Sequence, residues 1–139
     1  MKKLFILSIF TLFAAAFVHA QDVNTVQDTN NGPKIQFVSL VHDYGTIEKG
    51  ADGRCAFTFT NTGNEPLVLS NVRASCGCTT PSWTQKPVMP GQQGTIDVKY
   101  NTNNVGGFTK TITVTSNAVN NPRVQLKIKG NVTKPAETE

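Results

Sequence analysis

Apolar and polar residues alternate at every second position in several short segments of this chain, and that period fits a β-strand rather than a helix. In the segment from Cys55 to Thr60, the apolar residues Cys55, Phe57 and Phe59 share one face. Each such strand is expected to bury one face and leave the other in water. The apolar positions of the later segments are Ile96, Val98 and Tyr100; Ile112 and Val114; and Val124, Leu126, Ile128 and Val132.

One further strand is predicted from Pro66 to Ala74, and its phase changes halfway along. The apolar positions are Leu67 and Leu69 before the change and Val72 and Ala74 after it. A β-bulge, which inserts one extra residue into a strand, accounts for such a change, and Ser70-Asn71 is its predicted place. The segment from Ile35 to Ser39 is expected to supply a first strand at a sheet edge.

Turn-forming residues separate these segments, since glycine and asparagine accept positive φ while proline fixes it. They stand at Asn61-Thr62-Gly63-Asn64, Pro90-Gly91 and Asn120-Asn121-Pro122. Six to eight short strands in about 100 residues predict an all-β, immunoglobulin-like antiparallel β-sandwich of about seven strands, with a small barrel as the alternative. The Cys-Trp-Cys order of antibody domains is absent, because Trp83 follows both Cys76 and Cys78.

The first twenty residues have the pattern of a cleaved secretory signal peptide. Lys2 and Lys3 precede an apolar run from Leu4 to Val18. Cleavage is expected just before Gln21, so no cysteine stands directly after the cleavage point to carry a lipid anchor. No later apolar stretch is long enough to span a bilayer. The chain is therefore predicted to be exported to the periplasm or cell surface without a membrane anchor. Residues 21–33 are predicted to be a disordered spacer, residues 34–133 the sandwich, and residues 134–139 a polar tail.

The charge of the chain points to no particular partner. The sequence has 13 basic and 9 acidic residues, and removal of Lys2 and Lys3 with the signal peptide leaves 11 basic and 9 acidic, a formal charge of +2. The basic residues are scattered singly along the sequence, so no nucleic-acid partner is predicted.

Five stretches of the chain form a specific set of motifs when taken together. They are Phe57 to Gly63 followed by Pro66-Leu67, Ser75-Cys76-Gly77-Cys78-Thr79 with Pro81, Pro90-Gly91, Gly107 to Asn117, and Leu126 to Val132. This set resembles a bacterial family of exported domains of unknown function, DUF1573, which is related in shape to the immunoglobulin-like ASH and major sperm protein domains. The resemblance runs from about Ile35 to Val132 and implies the sandwich fold and an exported location. It implies no activity, and Cys55 lies outside the pattern.

Any chemistry of the chain is expected at Cys76 and Cys78, which lie two residues apart just after a predicted strand. In a structural interpretation, both cysteines fill a tight corner, or one of them forms a disulfide with Cys55. An oxidising compartment would allow that bridge, and one of the three thiols would be left over.

In a chemical interpretation, Cys76 and Cys78 hold copper(I) or form a strained, exchangeable disulfide with each other. His42 and Met89 are candidates for further copper ligands, whereas structural zinc would require four ligands. Apart from copper, no cofactor is expected.

No catalytic residue is predicted. The only histidine after the signal peptide is His42, and its neighbour Asp43 would point away from it in an extended segment. The chain also lacks an acid pair, a nucleotide-binding loop and an HExxH motif.

A binding role is therefore predicted: an exported, non-enzymatic binding or scaffold module for an unknown cell-envelope protein or glycan. The alternative is a periplasmic copper(I)-binding or thiol-redox protein. Trp83, which lies between Pro81 and Pro87, is either a cap of the core or a contact residue. A partner is expected to pair with an exposed sheet edge, formed by the strand from Ile35 to Ser39 or by the C-terminal strand.

Overall fold

The computed structural model describes residues 31–136, which form eight β-strands. The described part of the chain has no helix, and so no helix there is long and apolar enough to cross a membrane. The predicted signal peptide and most of the predicted spacer lie outside the described residues. The strands are β1 (Ile35–Phe37), β2 (Val41–Glu48), β3 (Arg54–Asn61), β4 (Leu69–Ala74), β5 (Thr79–Trp83), β6 (Gln93–Tyr100), β7 (Gly106–Ser116) and β8 (Arg123–Thr133).

The strands form two four-stranded sheets. Sheet A has the order β1-β3-β6-β5, and sheet B has the order β2-β8-β7-β4. The all-β, two-sheet prediction is confirmed, with eight strands instead of about seven. The expectation of purely antiparallel pairing is wrong, because β2 pairs with β8 in parallel. Only Val38 to Leu40 separate β1 from β2, so the chain keeps its direction as it passes from sheet A to sheet B.

The core lies between the sheets and consists of the apolar positions that alternate along the strands. Phe59 and Ile96 from sheet A, and Ile112 and Leu126 from sheet B, have no exposed surface. Complete burial of one such side chain contributes about 1.5–3 kcal/mol. The sheets also meet through aromatic rings, since Tyr100 of β6 stacks on Phe108 of β7 with centroids 3.8 Å apart.

The predicted bulge in β4 is confirmed. The register between β4 and β7 shifts between Leu69 and Asn71, and Leu69 and Val72 are both buried although they lie three positions apart. The prediction that Ile35 begins an edge strand is also confirmed. The prediction that the C-terminal strand forms an edge is wrong, because β8 lies between β2 and β7.

Two strands, β2 and β5, have no counterpart among the predicted segments. A second bulge interrupts β2 between Asp43 and Thr46, where Gly45 has a φ of 63°. Strand β5 contains Pro81, which removes one backbone donor. That loss is tolerated because β5 is an edge strand and Pro81 directs its nitrogen away from β6.

Candidate functional site

The link between β1 and β2 exposes a group of apolar side chains. Val38 is 77% exposed, Leu40 48% and Val41 45%. They are three of the six large apolar side chains exposed within residues 31–136, and they lie within four positions of one another. Phe37 precedes them and packs its ring against Phe59 at a centroid distance of 5.7 Å. We call the segment Phe37–Val41 the apolar edge.

The backbone of β1 is open at one residue of this edge. Val38 donates its N–H to the Thr58 carbonyl, so β1 bonds to β3 through alternate residues, and Ile35 and Phe37 face away from β3. At Ile35 the Asn120 amide caps both groups, donating Nδ2 to the carbonyl (2.9 Å) and accepting the N–H on Oδ1 (3.0 Å). Within residues 31–136, no side chain caps Phe37 in this way.

Side chains bind two backbone N–H groups of β2. Val41 donates its N–H to Ser39 Oγ (3.3 Å), and Gly45 donates its N–H to Asp43 Oδ1 (2.8 Å). Asp43 also forms a salt bridge with Lys129 at 3.3 Å. The Gly45 N–H and then the Lys129 ammonium lower the pKa of Asp43 below its usual 3.8. These two donors are therefore not free to pair with another chain, whereas the N–H of Phe37 is.

A surface cavity of about 490 Å³ adjoins the apolar edge. Its walls include Phe37, Leu40 and Asn120, and Val124 of β8 contributes from sheet B. An extended segment laid beside β1 would therefore have a place for its side chains.

The structure joins Cys76 and Cys78 by a disulfide in the link between β4 and β5, with Cα atoms 5.3 Å apart. Cys55 of β3 is a free thiol, so the structure does not contain the bridge between Cys55 and this corner. Cys55 is half-buried and packs against the core, and burial raises the pKa of its thiol. We call Ser75–Thr79 the cysteine corner.

A hydroxyl and a cavity surround the two bonded sulfurs. The Thr79 hydroxyl lies 3.8 Å from Cys76 Sγ and 3.9 Å from Cys78 Sγ. Cys78 lines a cavity of about 620 Å³ together with Arg54 and Lys99. A second cavity, of about 850 Å³, shares Arg54 and Lys99 with the first. The two cavities are therefore neighbours on sheet A, and the first of them adjoins the cysteine corner.

The structure does not bring the other candidate copper ligands to the cysteine corner. His42 belongs to β2 and lies at the edge of sheet B opposite to β4, with its ring against Tyr44 (4.5 Å). Met89 follows β5 and is 53% exposed. Within residues 31–136, no group of three or more His, Cys, Asp or Glu side chains is arranged to hold a metal ion.

Trp83, the candidate binding residue, is the last residue of β5 and packs half-buried against the core. Its neighbour on β6 is Ile96, which is fully buried. The indole Nε1 is buried and has no hydrogen-bond partner within the described residues. The side chain thus lies under the sheet A edge.

Sequence reasoning missed a cationic surface on sheet B. Arg123, Lys127 and Lys129 are exposed at alternate positions of β8, and Arg73 is exposed on β4. Residues 31–136 hold eleven basic and five acidic side chains, a formal charge of +6. The basic residues look scattered along the chain, but those at every second position of one strand share a face. The period of two in β8 was therefore the signal that would have revealed this surface.

Comparison with known proteins places the fold among immunoglobulin-like and PapD-like domains. The chain is similar to a protein of unknown function from Porphyromonas gingivalis W83, with 17% identity and a TM-score of 0.66 over 76% of this chain and 50% of that one. It thus spans about half the length of that protein. It is also similar to the ASH/PapD-like domain of human CEP192, with 10% identity and a TM-score of 0.63 over 86% and 97% of the two chains.

A third similar structure is the CsuC-CsuE chaperone-tip adhesion subunit pre-assembly complex of Acinetobacter baumannii, with 10% identity and a TM-score of 0.54 over 72% and 57% of the two chains. At such identities the similarity shows the fold alone. No curated protein matches the sequence. The model of a family described as protein of unknown function (DUF1573) matches residues 35–132, and the chain belongs to that family.

Proposed function

We propose that this protein is an exported, non-enzymatic binding module that holds a partner protein of the cell envelope by adding one of its extended segments beside β1. The observation that carries the proposal is the coincidence of an open backbone with exposed apolar side chains at the apolar edge. Export is supported by the pattern of residues 1–20.

Strand addition combines two sources of binding energy. Main-chain hydrogen bonds supply affinity, and pockets for alternate side chains supply specificity. Phe37 offers an outward N–H and carbonyl, while Val38 and Leu40 still expose about half or more of their surface. Burying an apolar side chain completely contributes about 1.5–3 kcal/mol. A partner that covers Val38 and Leu40 would therefore stabilise the complex.

The length of the open edge limits the affinity. Asn120 already occupies the outward groups of Ile35, and side chains bind the N–H groups of Val41 and Gly45, so a partner segment beside β1 finds only a short run of free backbone. We therefore expect an interface at the small, transient end of the range, in which side-chain contacts in the 490 Å³ cavity contribute much of the specificity.

The similar folds support a protein partner. The CsuC-CsuE structure is a pre-assembly complex between a chaperone and a tip adhesion subunit, so a chain of this fold occurs there in complex with another polypeptide. The same role in this chain is the proposal.

The test uses the chain from Gln21 to Glu139 and a panel of short peptides with apolar residues at alternate positions. We expect saturable binding and slower amide hydrogen exchange at Phe37 in the complex. Methylation of the central peptide nitrogens should abolish binding, because it removes the donors of the added strand. Leu40→Lys should weaken binding at least about tenfold, the equivalent of about 1.4 kcal/mol.

Met89→Lys is the matched control, since Met89 is an exposed apolar residue away from the apolar edge. It should leave the peptide affinity unchanged. The proposal is wrong if binding survives methylation of the peptide backbone, if Met89→Lys weakens binding as much as Leu40→Lys does, or if no peptide of the panel binds.

A further inference from the structure

We propose that the Cys76–Cys78 disulfide is a thiol–disulfide exchange site that accepts two electrons from an external dithiol. This activity is separate from binding at the apolar edge, because the cysteine corner and the apolar edge lie on opposite sides of the sandwich.

The disulfide contributes little to the stability of the fold. In the chain-entropy model, the stabilisation from a disulfide grows with the length of the loop that it closes, and Cys76 and Cys78 are only two positions apart. Backbone hydrogen bonds already hold both ends of the corner: Ser75 donates its N–H to the Thr111 carbonyl (2.9 Å), and Asn101 donates its N–H to the Cys78 carbonyl (2.8 Å).

The cysteine corner is accessible in the folded domain. Gly77, between the two cysteines, is exposed, and both cysteines retain part of their surface. Cys55 of β3 has the same intermediate exposure, so burial does not set the third cysteine apart. A thiol in solution can therefore reach the corner while the domain stays folded.

The surroundings of Cys78 favour a departing thiolate. Cations near a sulfur stabilise its anionic form, and the cavity beside Cys78 contains Arg54 and Lys99, which are neighbours across β3 and β6. The carboxylate of Asp52 also lines this cavity, but it accepts the backbone N–H of Arg54 at 3.1 Å. The Thr79 hydroxyl lies 3.8 Å from Cys76 Sγ and 3.9 Å from Cys78 Sγ, so it can donate a hydrogen bond to a thiolate at either sulfur, and the two cations are what favour Cys78.

These surroundings assign the direction of the exchange. A thiolate of the dithiol attacks Cys76 Sγ; a mixed disulfide with Cys76 forms, the Cys76–Cys78 bond breaks, and the electron pair goes to Cys78 Sγ. The second thiol of the dithiol then attacks the mixed disulfide and releases Cys76 as a thiolate. Both cysteines end as thiols after taking up two protons, and the dithiol ends as a disulfide, so the protein is reduced by two electrons.

The experiment measures reduction of the folded chain from Gln21 to Glu139 by dithiothreitol at neutral pH. Alkylation at timed intervals, followed by peptide mass spectrometry, reports each cysteine separately. We expect Cys76 and Cys78 to become alkylated together, and only after dithiothreitol is added. Cys55 is a free thiol from the start, so its alkylation should not depend on dithiothreitol and serves as an internal reference.

Charge variants test the assigned direction. Lys99→Met should slow reduction at least about threefold, and Thr79→Val should also slow it. Lys127→Met is the matched control, since Lys127 is an exposed lysine on the other sheet, and it should leave the rate unchanged. Circular dichroism of each variant confirms that the fold is retained.

Three outcomes overturn the proposal: a disulfide that resists dithiothreitol in the folded protein, reduction only under conditions in which circular dichroism shows that the domain has unfolded, or equal rates for Lys99→Met and Lys127→Met. None of these outcomes affects peptide binding at the apolar edge. Conversely, failure of peptide binding leaves the exchange measurement intact.

Discussion

Two of the links that cross between the sheets, β1–β2 and β4–β5, lie at opposite edges of the sandwich, and these two crossings are built differently. On one side, Val38 to Leu40 connect β1 to β2 with exposed apolar residues and an open backbone at Phe37. On the other side, Ser75 to Cys78 connect β4 to β5 through a disulfide, and Pro81 removes a donor from the edge. An edge strand invites pairing with another chain unless it is blocked. The two edges therefore differ in the backbone groups and apolar side chains that they offer to another chain.

Different interactions hold the two crossings in place. The β1–β2 crossing depends on side-chain amides, since Asn61 and Asn120 bind the backbone at and before the start of β1. The β4–β5 crossing depends on a covalent bond and on hydrogen bonds between main-chain groups. Substitutions of the amides should therefore affect the first crossing far more than comparable substitutions affect the second.

The largest effect is expected from Asn61→Ala. Asn61 is fully buried, and its Nδ2 donates to the carbonyls of Glu65 (2.7 Å) and Val88 (2.8 Å). Its Oδ1 accepts the N–H groups of Gly63 (3.0 Å) and Lys34 (3.3 Å). Each buried group left unpaired costs about 1–3 kcal/mol, so the free energy of unfolding should fall by about 3 kcal/mol or more.

Ser75→Ala is the corresponding change at the cysteine corner. Ser75 Oγ accepts the Thr111 N–H at 3.2 Å in an exposed position, where water can replace it. The loss should be below about 1 kcal/mol. Urea unfolding of both variants measures the two values, and similar losses would show that the two crossings are not held in different ways.

An intermediate effect is expected from Asn120→Ala. It removes the amide that caps Ile35, so the open backbone of β1 grows from Phe37 to include Ile35. We expect a loss of about 1–2 kcal/mol in stability, together with tighter peptide binding or concentration-dependent self-association. Calorimetry with the peptide panel and sedimentation at several protein concentrations measure these changes.

Asn117→Ala provides the matched control on the other side. Asn117 makes an equivalent pair of bonds, accepting the Val68 N–H (2.8 Å) and donating to the Pro66 carbonyl (3.1 Å) just before β4. It should lower stability by a similar amount without changing peptide affinity. If both variants bind peptide more tightly, the openness of the backbone at Phe37 is not what determines binding.

The faces of the long strands could be predicted from sequence because each of these strands has one wet and one buried side. In β3, β6, β7 and β8, the alternating apolar residues are the buried ones. The bulge at Ser70 was visible for the same reason, since Leu69 and Val72 are both apolar but out of phase. Apolar residues at every second position of a strand directly indicate which of its faces is buried.

Strands β2 and β5 could not be predicted in this way. No residue of β2 is fully buried, and the bulge at Gly45 interrupts its period. In β5, Pro81 indicates the end of a strand unless it is known that this strand lies at an edge.

The two candidate sites depend on contacts that no local pattern contains. The spacing of three cysteines does not determine which two are bonded, and the pairing of β2 with β8 joins residues more than eighty positions apart. From sequence, Val38 to Val41 resembles a buried strand as closely as an exposed one. Only the position of the segment at the edge of both sheets shows that its side chains face solvent.

The smallest effect is expected in how the free energy of unfolding depends on pH. Of the two crossings, only the one from β1 to β2 should contribute to this dependence. Residues 69–83, which include β4, the cysteine corner and β5, contain no carboxylate, whereas Asp43 lies in β2. The pKa of Asp43 is lowered in the folded state, chiefly by the Gly45 N–H and then by Lys129. Its carboxylate therefore stabilises the fold above the usual pKa of 3.8, and this contribution is lost as the pH falls through the lower, folded-state value.

Urea unfolding between about pH 6 and about pH 2 should show that Asp43→Ala is less stable than the unchanged protein at the upper end and equal to it at the lower end. Lys129→Met should keep the larger part of this pH dependence, because the Gly45 N–H still binds the carboxylate. Added salt should weaken only the part that Lys129 contributes, since screening acts on the exposed ion pair. If Lys129→Met removes as much pH dependence as Asp43→Ala does, the ion pair rather than the capped N–H of β2 holds this side of the domain. The bond between the Asp43 carboxylate and the Gly45 N–H would then contribute little, and that N–H would be as available for strand addition as the outward N–H of Phe37.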